Sequence, residues 1–324
     1  CRKCQGNQHS RGTSSIMKIA LFGATGFVGS YIVDELIKNG HKPIVLVRKN
    51  SEKKLIQSSK CKINQGDIND MDAINKTIEG TDAVIYCIGI IREFPNKGIT
   101  FENLHFHGAK RCIDSAKKLG INRFILMSAN GAKIDGTGYQ ETKHLAEEYL
   151  KYTNLDWTIF RPSLIFGNPR SDDRPEFCTQ LKKDMLSLPI PAPNFFNGLN
   201  PLNAGKFALS PIHVVNVATF FVKSIEMETT RKKTYHLGGT AYYWKDIILT
   251  IAKAYEKKKW TIPAPAFAIN IAATFLGRFA WFPITKEQIT MLLEGNVCDS
   301  SETFNAFNIE QTPFNTETLH YLKN

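Results

Sequence analysis

Tyr139 and Lys143 stand four residues apart in the segment YQETK, a spacing that suits proton transfer. On a helix, residues at i and i+4 lie on the same face. A lysine ammonium near a phenol favours the phenolate and lowers the pKa of the tyrosine. Tyr139 could then exchange a proton with a substrate oxygen, and Ser128 could hydrogen-bond the same oxygen. We predict Tyr139, Lys143 and Ser128 as the candidate catalytic residues, with no metal ion among them.

A simpler interpretation of the same pair is structural. One YxxxK pattern is unsurprising in a chain of 324 residues. Tyr139 could be an exposed residue of a surface helix on which Lys143 forms an ion pair with Glu147. The catalytic interpretation is favoured because the pair lies on the helix expected after Ser128.

Glycines recur at every third position in GATGFVG, residues 23–29, between an apolar run and an amphipathic segment. At a strand-to-helix junction, Gly23 would permit a tight turn and Gly26 would let the backbone approach a pyrophosphate. Gly29 would let the helix pack close to the sheet. Backbone N–H groups at the helix start would hold the phosphates. The pattern predicts a dinucleotide site, and a purely structural loop is the alternative.

The second apolar run ends in LVRKN, with Arg48 and Lys49 where an NAD site carries an acid. An arginine suits a 2′-phosphate, which it can bind through two parallel hydrogen bonds. We therefore expect NADP(H) to be favoured over NAD(H), and a solvated surface arginine is the alternative. With a nicotinamide in the site, hydride transfer would accompany the proton exchange at Tyr139.

Four further residues follow later strands and could face the cofactor. Asp67 could turn its side chain to the adenine while Ile68 packs on it, and a turn-capping aspartate is the alternative. Ile88 and Gly89 come after the fourth strand, where a small residue lets the backbone pass near the cofactor. Lys143 is predicted to contact the cofactor as well.

These residues need alternating strands and helices to bring them together. Strand-like runs occur between residues 17 and 165, at 18–22, 43–47, 61–65, 82–88, 122–128 and 155–160. Segments with helical periodicity lie between them, at 28–40, 70–80, 101–120 and 138–152. Such alternation implies right-handed crossovers and a parallel sheet that is covered on both faces. The predicted fold class is α/β, a Rossmann-type doubly wound parallel sheet with a smaller, mainly helical C-terminal lobe.

These patterns divide the chain into two parts and a tail. We expect residues 17–165 to form the dinucleotide-binding domain, to which the chain returns within 211–238. Residues 166–324 would form a C-terminal substrate or interaction lobe. Residues 1–16 read as a disordered tail or an added extension, because they lack the apolar stretch of a secretory signal. The CRKC at its start has no second pair, so we predict no metal site there.

Charge and cysteine content restrict the partners and the compartment. A net charge of +11 favours anionic partners such as phosphates, an acidic protein or an anionic membrane surface. Nucleic acid is not expected, because the basic residues are scattered and no dense basic run carries interleaved aromatics. Seven cysteines without framework spacing predict reduced thiols in a cytosolic-type compartment. Such compartments include a bacterial cytoplasmic face, the mitochondrial matrix and a plastid stroma.

The chain resembles the extended or atypical short-chain dehydrogenase/reductases. The resemblance is carried together by GATGFVG, the GDI after the third strand, Ser128, YxxxK and the segment RPSLIFG at 161–167. The resemblance covers roughly residues 17 to 320. Later segments are most similar to the NADPH-binding accessory subunits of respiratory complex I and their bacterial relatives. They include FENLHFHGAK at 101–110, PIHVVNVA at 211–218 and ITKEQITMLLEGNV at 284–297.

The resemblance implies tight NADP(H) binding, with phosphate contacts at Thr25, Gly26, Phe27 and Val28, and with Arg48 on the 2′-phosphate. It also implies a cofactor contact at Pro162.

Two departures from the active extended enzymes leave catalysis open. His105 stands where they carry an asparagine, although a packed helix histidine is the commoner case. Ser128 and Tyr139 are also only eleven residues apart. A cofactor-stabilised structural or assembly protein is therefore the first hypothesis. An active oxidoreductase on a small carbonyl or alcohol is the alternative, and a sugar-nucleotide epimerase or dehydratase is weaker.

Residues 260–283 are rich in tryptophan, phenylalanine and proline. A core helix of the C-terminal lobe explains much of this composition and is favoured. The alternative is an apolar surface that docks on a protein complex or lies at a bilayer, where excess lysine and arginine would meet anionic lipid. The sequence contains no uninterrupted run of eighteen apolar residues, so we predict no transmembrane helix.

Overall fold

The computed structural model of the chain describes residues 15–196, 198, 200–268 and 285–323. The CRKC pair and most of the predicted tail lie outside the described residues. Most of the apolar segment at 260–283 also lies outside them.

Seven parallel strands form the central sheet, in the order β3-β2-β1-β4-β5-β6-β11. Their bounds are β1 Lys18–Phe22, β2 Lys42–Val47, β3 Lys62–Gln65, β4 Ala83–Tyr86, β5 Arg123–Met127, β6 Asp156–Pro162 and β11 Lys233–Leu237. The order reverses direction at β1 and β4, as in a doubly wound dinucleotide fold. The predicted Rossmann-type parallel sheet is confirmed.

The central strands are apolar on both faces because helices cover both. In β1, Ile19 and Leu21 face one core cluster while Ala20 and Phe22 face the other, and all four are fully buried. The first cluster also contains residues of α1 and α6, and the second contains residues of α2, α3 and α4. These helices span Phe27–Lys38 (α1), Met71–Ile78 (α2), Gly108–Lys118 (α3), Gly138–Lys151 (α4) and Val214–Ser224 (α6). A π-helical turn, Glu102–His107, leads into α3.

Side-chain caps fix the start of two of these helices. Asp70 accepts hydrogen bonds from the backbone N–H groups of Asp72 and Ala73 at the start of α2. Thr137 and Gln140 form a capping box at the start of α4, which places Tyr139 and Lys143 in its first turns.

The buried Arg123 is the first residue of β5 and joins the sheet to α6. Its guanidinium donates to the carbonyl oxygens of Ser224 and Ile225, at the carboxyl end of α6, and to that of Asp156. These contacts hold the helix that precedes β11 against the sheet, so that β11 lies beside β6.

The C-terminal lobe contains the expected helices and, in addition, short strands that the sequence did not predict. It contains helices α5 (Phe177–Leu181), α7 (Trp244–Ala254) and α8 (Lys286–Glu294). Short ribbons accompany them, pairing β7 (Ile165–Phe166) with β10 (Ile212–His213), β8 (Ala192–Phe196) with β13 (Thr261–Pro265), and β9 (Ala208–Leu209) with β12 (Tyr242–Tyr243). These strands have two to five residues, too few for a periodicity to identify them. A last helix, α9 (Ser301–Phe307), packs back on β11.

Helix α8 is tied to the start of α4. Glu287 accepts a hydrogen bond from the backbone N–H of Gly138, with an N–O distance of 3.3 Å. At the other end of α8, Glu294 accepts from Gln140 at 2.9 Å and pairs with Lys133 at 2.9 Å. The C-terminal lobe therefore holds the segment on which Tyr139 lies.

Candidate functional site

The turn between β1 and α1 is built on close backbone contacts. Gly23 has φ +105°, and a Cβ there would lie 2.9 Å from Cys87 Sγ. A Cβ at Gly29 would lie 2.0 Å from the carbonyl oxygen of Gly23. Only glycine allows these approaches, which bring the start of α1 against the end of β1.

The backbone N–H groups of Phe27, Val28 and Gly29, in the first turn of α1, have no acceptor among the described residues. Gly26 is the N-cap residue and supplies no side-chain cap, and no acidic residue lies in the first turn. Phe27 and Val28 open the helix, and Thr25 precedes its cap. Free N–H groups and the positive end of the helix dipole bind phosphate. The residues present therefore fit the pyrophosphate of a dinucleotide.

Arg48 and Lys49 follow β2 and are exposed at the same edge of the sheet. Phe22 pairs with Leu46, so the end of β2 lies beside the glycine turn. Asn50 comes next with φ 68°, which turns the chain sharply after these two cations.

Asp67 makes the turn-capping contact that was the alternative to an adenine contact. Its Oδ1 accepts hydrogen bonds from the backbone N–H of Asn69 at 3.0 Å and from the Asn69 side chain at 2.7 Å. Ile68 is buried in the core cluster of α2, α3 and α4.

Lys143 links the ends of β4 and β5. It is 3% exposed, and its Nζ donates to the carbonyl oxygens of Met127 at 3.1 Å and of Ile88 at 3.4 Å. A Cβ at Gly89 would lie 3.5 Å from this Nζ. Burial lowers the pKa of Lys143 to about 8. The predicted residues Ile88, Gly89 and Lys143 therefore lie together.

The ion pair of the structural alternative does not form. Glu147 is fully buried and binds Arg161 through two hydrogen bonds, of 2.8 and 2.6 Å. Lys143 faces the strand ends instead. The exposed-helix interpretation of YxxxK is wrong.

The environment of Tyr139 differs from the expectation in one respect. Its ring packs edge-on against Phe101 and His105, with centroids 5.7 and 5.1 Å away. Burial raises the pKa of Tyr139 to about 12. The expected lowering of this pKa by Lys143 is wrong for the described structure, in which desolvation is the cause of the shift.

His105 is a buried, packed histidine, which is the commoner of the two cases that the sequence left open. Its Nε2 accepts the backbone N–H of Ile90 at 3.1 Å, which places the proton of the neutral ring on Nδ1, 3.2 Å from Thr142 Oγ1. Burial and the charge of Lys143 hold the pKa of His105 well below its usual range. A neutral His105 thus anchors the loop after β4 to α4.

Ser128 and Pro162 lie at the carboxyl ends of β5 and β6, beside the residues described above. The Ser128 hydroxyl is buried and has no hydrogen-bond partner among the described residues, while its backbone N–H donates to Phe160. A buried hydroxyl of this kind is available to a bound ligand. Pro162 ends β6, and its carbonyl oxygen accepts from the backbone N–H of Asn130 at 2.9 Å.

Two residues at this edge carried no sequence signal. Cys87 lies behind the glycine turn, and its thiol donates to the carbonyl oxygen of Phe22 at 3.2 Å. Arg174 is 5% exposed and donates to the carbonyl oxygen of Thr25 at 3.0 Å. Arg174 belongs to an irregular loop far along the chain, so no spacing or periodicity could connect it with the glycine motif.

Among the described residues, no helix has the length and apolarity needed to cross a bilayer, and no cluster of three or more His, Cys, Asp or Glu could hold a metal ion.

Comparison with known proteins supports dinucleotide binding by the domain that carries this edge. The sequence model of the NAD(P)H-binding family matches residues 23–183, from the glycine turn into α5. The chain is similar to the NAD(P)-binding, extended short-chain dehydrogenase/reductase-like proteins. The family's fold is shared by the structure of MoeE5 in complex with UDP-glucose and NAD, which has a TM-score of 0.70 at 15% identity and covers 95% of this chain and 97% of that one.

Two curated relatives match well beyond the nucleotide site. The NADH-ubiquinone oxidoreductase 40 kDa subunit, mitochondrial, of Neurospora crassa is 25% identical, over 98% of this chain and 82% of that protein. The photosystem II assembly factor Ycf39 of Synechocystis is 24% identical, over 82% of this chain and 76% of that protein. The resemblance to accessory subunits of complex I is confirmed.

The lowered pKa of Lys143 makes a prediction about alkaline stability. A lysine whose pKa falls on folding binds its proton less tightly in the folded chain, so its buried charge destabilises the fold at neutral pH. We compare the free energy of unfolding of the wild type with that of Lys143→Met. The difference, wild type minus variant, should increase as the pH rises from about 8 to 10.5. The full rise should be about 3 kcal/mol.

Chemical denaturation across this pH range measures the difference, and groups common to both proteins cancel. Ser128→Ala, a neutral change at the same edge, is the control, and its difference from wild type should not vary with pH. A difference for Lys143→Met that is equally flat would contradict the prediction.

Proposed function

We propose that this chain is an NADP(H)-binding protein with a structural or assembly role in a larger complex, in which the cofactor stabilises the fold. The similarity to the 40 kDa subunit of NADH-ubiquinone oxidoreductase carries this proposal, because it runs through the C-terminal lobe and covers 98% of the chain. A match confined to the nucleotide site would support only cofactor binding.

Arg48 supports NADP(H) over NAD(H). It is exposed at the end of β2, beside the glycine turn, with Lys49 next to it. A guanidinium at this position can bind a 2′-phosphate through two hydrogen bonds, whereas the 2′-hydroxyl of NAD(H) offers no charge. When bound, the dinucleotide would supply a hydride, and the chain's own residues would hold its phosphates.

The test of this preference is Arg48→Leu. We expect its dissociation constant for NADPH to rise about tenfold or more, since one charge-assisted contact is lost. The dissociation constant for NADH should change little. Isothermal titration calorimetry of cofactor-free protein measures both constants.

Lys38→Met, at the opposite end of α1, is the matched control and should bind both cofactors as the wild type does. An Arg48→Leu variant that keeps its preference for NADPH would contradict the assignment.

The environment of Tyr139 supports a structural role over turnover. With a pKa of about 12, the phenol is protonated at neutral pH and would need a further change to act as a base. Its helix is also held by α8 through Glu287 and Glu294. The same residues favour a second candidate, an NADP(H)-dependent oxidoreductase on a small carbonyl or alcohol, because the buried Ser128 hydroxyl and Lys143 lie at one edge.

Tyr139→Phe separates the two candidates. For the structural role, we expect the variant to retain NADPH binding and a melting temperature near that of the wild type. Neither protein should then oxidise NADPH in the presence of a panel of small carbonyl compounds, as followed by absorbance. Turnover in the wild type that Tyr139→Phe abolishes would establish the enzyme instead.

The exposed end of the β8–β13 ribbon supports a protein partner. Trp260 is 79% exposed, and Ile190 and Ile262 are exposed beside it. Lys257 and Lys258 border them. We call Ile190, Lys257, Lys258, Trp260 and Ile262 the ribbon surface. An exposed tryptophan among aliphatic residues is typical of an interface, and the lysines fit an acidic partner in a membrane-associated complex of a reducing compartment.

We expect Trp260→Ser combined with Ile262→Ser to release the chain from such a complex. The tagged wild type, expressed in its source cells, should migrate on native gels with a solubilised membrane complex, and the double variant should migrate alone with its NADPH affinity unchanged. Tyr152→Ser, an exposed aromatic on the other domain, is the control. A double variant that still migrates with the complex but no longer sediments with anionic lipid vesicles would assign the surface to lipid.

A further inference from the structure

Arg174 joins the loop after β7 to both phosphate-facing segments of the nucleotide domain. Its Nε donates to the carbonyl oxygen of Thr25 at 3.0 Å, within the glycine motif. Its Nη2 donates to that of Lys54 at 2.5 Å, in the segment that follows Arg48. Its Nη1 donates to that of Pro169 at 3.2 Å, in its own loop. The guanidinium thus ties the turn at the pyrophosphate to the segment at the 2′-phosphate.

The loop that carries Arg174 is fixed on α1 by other contacts. The Tyr31 hydroxyl donates to the carbonyl oxygen of Asn168 at 2.9 Å. The guanidinium of Arg170 lies 3.5 Å above the Tyr31 ring and pairs with Asp34 at 2.6 Å. Arg174 is therefore held in place by its loop and is not free to move into solvent.

The charge of Arg174 is buried without an ion pair. All three of its hydrogen-bond acceptors are neutral carbonyl oxygens, and no carboxylate of the described residues lies within 4.0 Å of it. The two nearest acids pair elsewhere, Asp173 with Lys54 and Asp34 with Arg170. Burial and the charge of Arg170 lower the pKa of Arg174. A buried cation in this state destabilises the fold unless an anion offsets it.

Comparison with Arg123 shows why this arrangement points to a ligand. Arg123 is also buried on carbonyl oxygens, but its acceptors Ser224 and Ile225 lie at the carboxyl end of α6. The helix dipole is negative there and compensates the cation. Arg174 instead lies beside the amino end of α1, where the dipole is positive and adds to its charge. The helix dipole therefore favours the charge of the first arginine and opposes that of the second, on which the carboxylates of Asp173 and Asp34 act only from beyond 4.0 Å.

We propose that Arg174 is a positioning residue for the dinucleotide, whose pyrophosphate supplies the negative charge that the buried guanidinium lacks. Arg174 acts on the phosphates through its field and through the Thr25 and Lys54 carbonyl groups that it holds. It also makes cofactor binding stabilise the contact between the C-terminal lobe and the nucleotide domain. The proposal rests on the dinucleotide binding proposed above.

A pair of substitutions tests the charge separately from the hydrogen bonds. Arg174→Gln removes the charge and keeps two N–H donors. Arg174→Lys keeps the charge and loses the planar, forked arrangement of N–H donors that the guanidinium has. We expect Arg174→Gln to weaken NADPH and NADH by the same factor, about tenfold, because both carry the pyrophosphate. Arg174→Lys should stay within about threefold of the wild type for both. Adenosine, which has no phosphate, should bind the wild type and both variants alike.

Calorimetric dissociation constants measure these effects, and circular dichroism checks that each variant is folded. Arg231→Gln, which removes an exposed arginine paired with Asp156 and Glu228, is the control and should bind as the wild type does. The equal loss for the two cofactors distinguishes Arg174 from Arg48, whose substitution should affect NADPH alone.

Three results would overturn the inference. They are unchanged affinities in Arg174→Gln, an equal loss in the Gln and Lys variants, and an equal loss for adenosine. If Arg174→Gln does not fold, a tenfold loss in Arg174→Lys would by itself contradict the role of the charge. A wild type that binds neither NADPH nor NADH would refute the proposed function and this inference with it, whereas the other outcomes leave dinucleotide binding intact.

Discussion

The edge of the sheet at which β1, β4 and β5 end depends on one close approach, that of α1 to the turn before it. The space between position 29 and the carbonyl oxygen of Gly23 is too small for any side chain. This approach directs the first turn of α1 at the edge where β1, β4 and β5 end. Arg48, Lys143 and Ser128 lie along this edge, so the start of the helix is what would bring them to the same ligand.

Around that edge, the buried polar groups are satisfied mainly by backbone. Lys143 binds the carbonyl oxygens of two strand ends, His105 accepts a backbone N–H in its neutral form, and Arg174 binds three carbonyl oxygens. Such contacts fix the three side chains and leave the charges of Lys143 and Arg174 without an ion pair among the described residues. The result is a rigid, electropositive edge, which suits a ligand with several phosphates better than a neutral substrate.

The sequence was sufficient for the sheet and for the position of the glycine turn. The alternation of apolar runs with amphipathic segments predicted the parallel sheet, because the central strands are apolar on both faces and the helices on one. The glycine spacing located the turn, since few other sequences allow the chain to pass so close to itself. Arg174 could not be found, because its partners are backbone atoms of residues far away in the chain. The pKa of Tyr139 was also beyond the sequence, since it depends on how deeply Phe101 and His105 enclose the ring.

The position of β11 has a consequence for how the chain is made. β6 ends at Pro162, but the strand that covers its free edge does not begin until Lys233. During synthesis the ribosome must deliver some seventy more residues before that edge is closed, and α6 must dock on Arg123 in the same interval. A nascent chain at this stage presents an open row of backbone donors and acceptors, which invites pairing with other chains. The order in which the elements emerge therefore leaves the edge of β6 open to aggregation until β11 has been made.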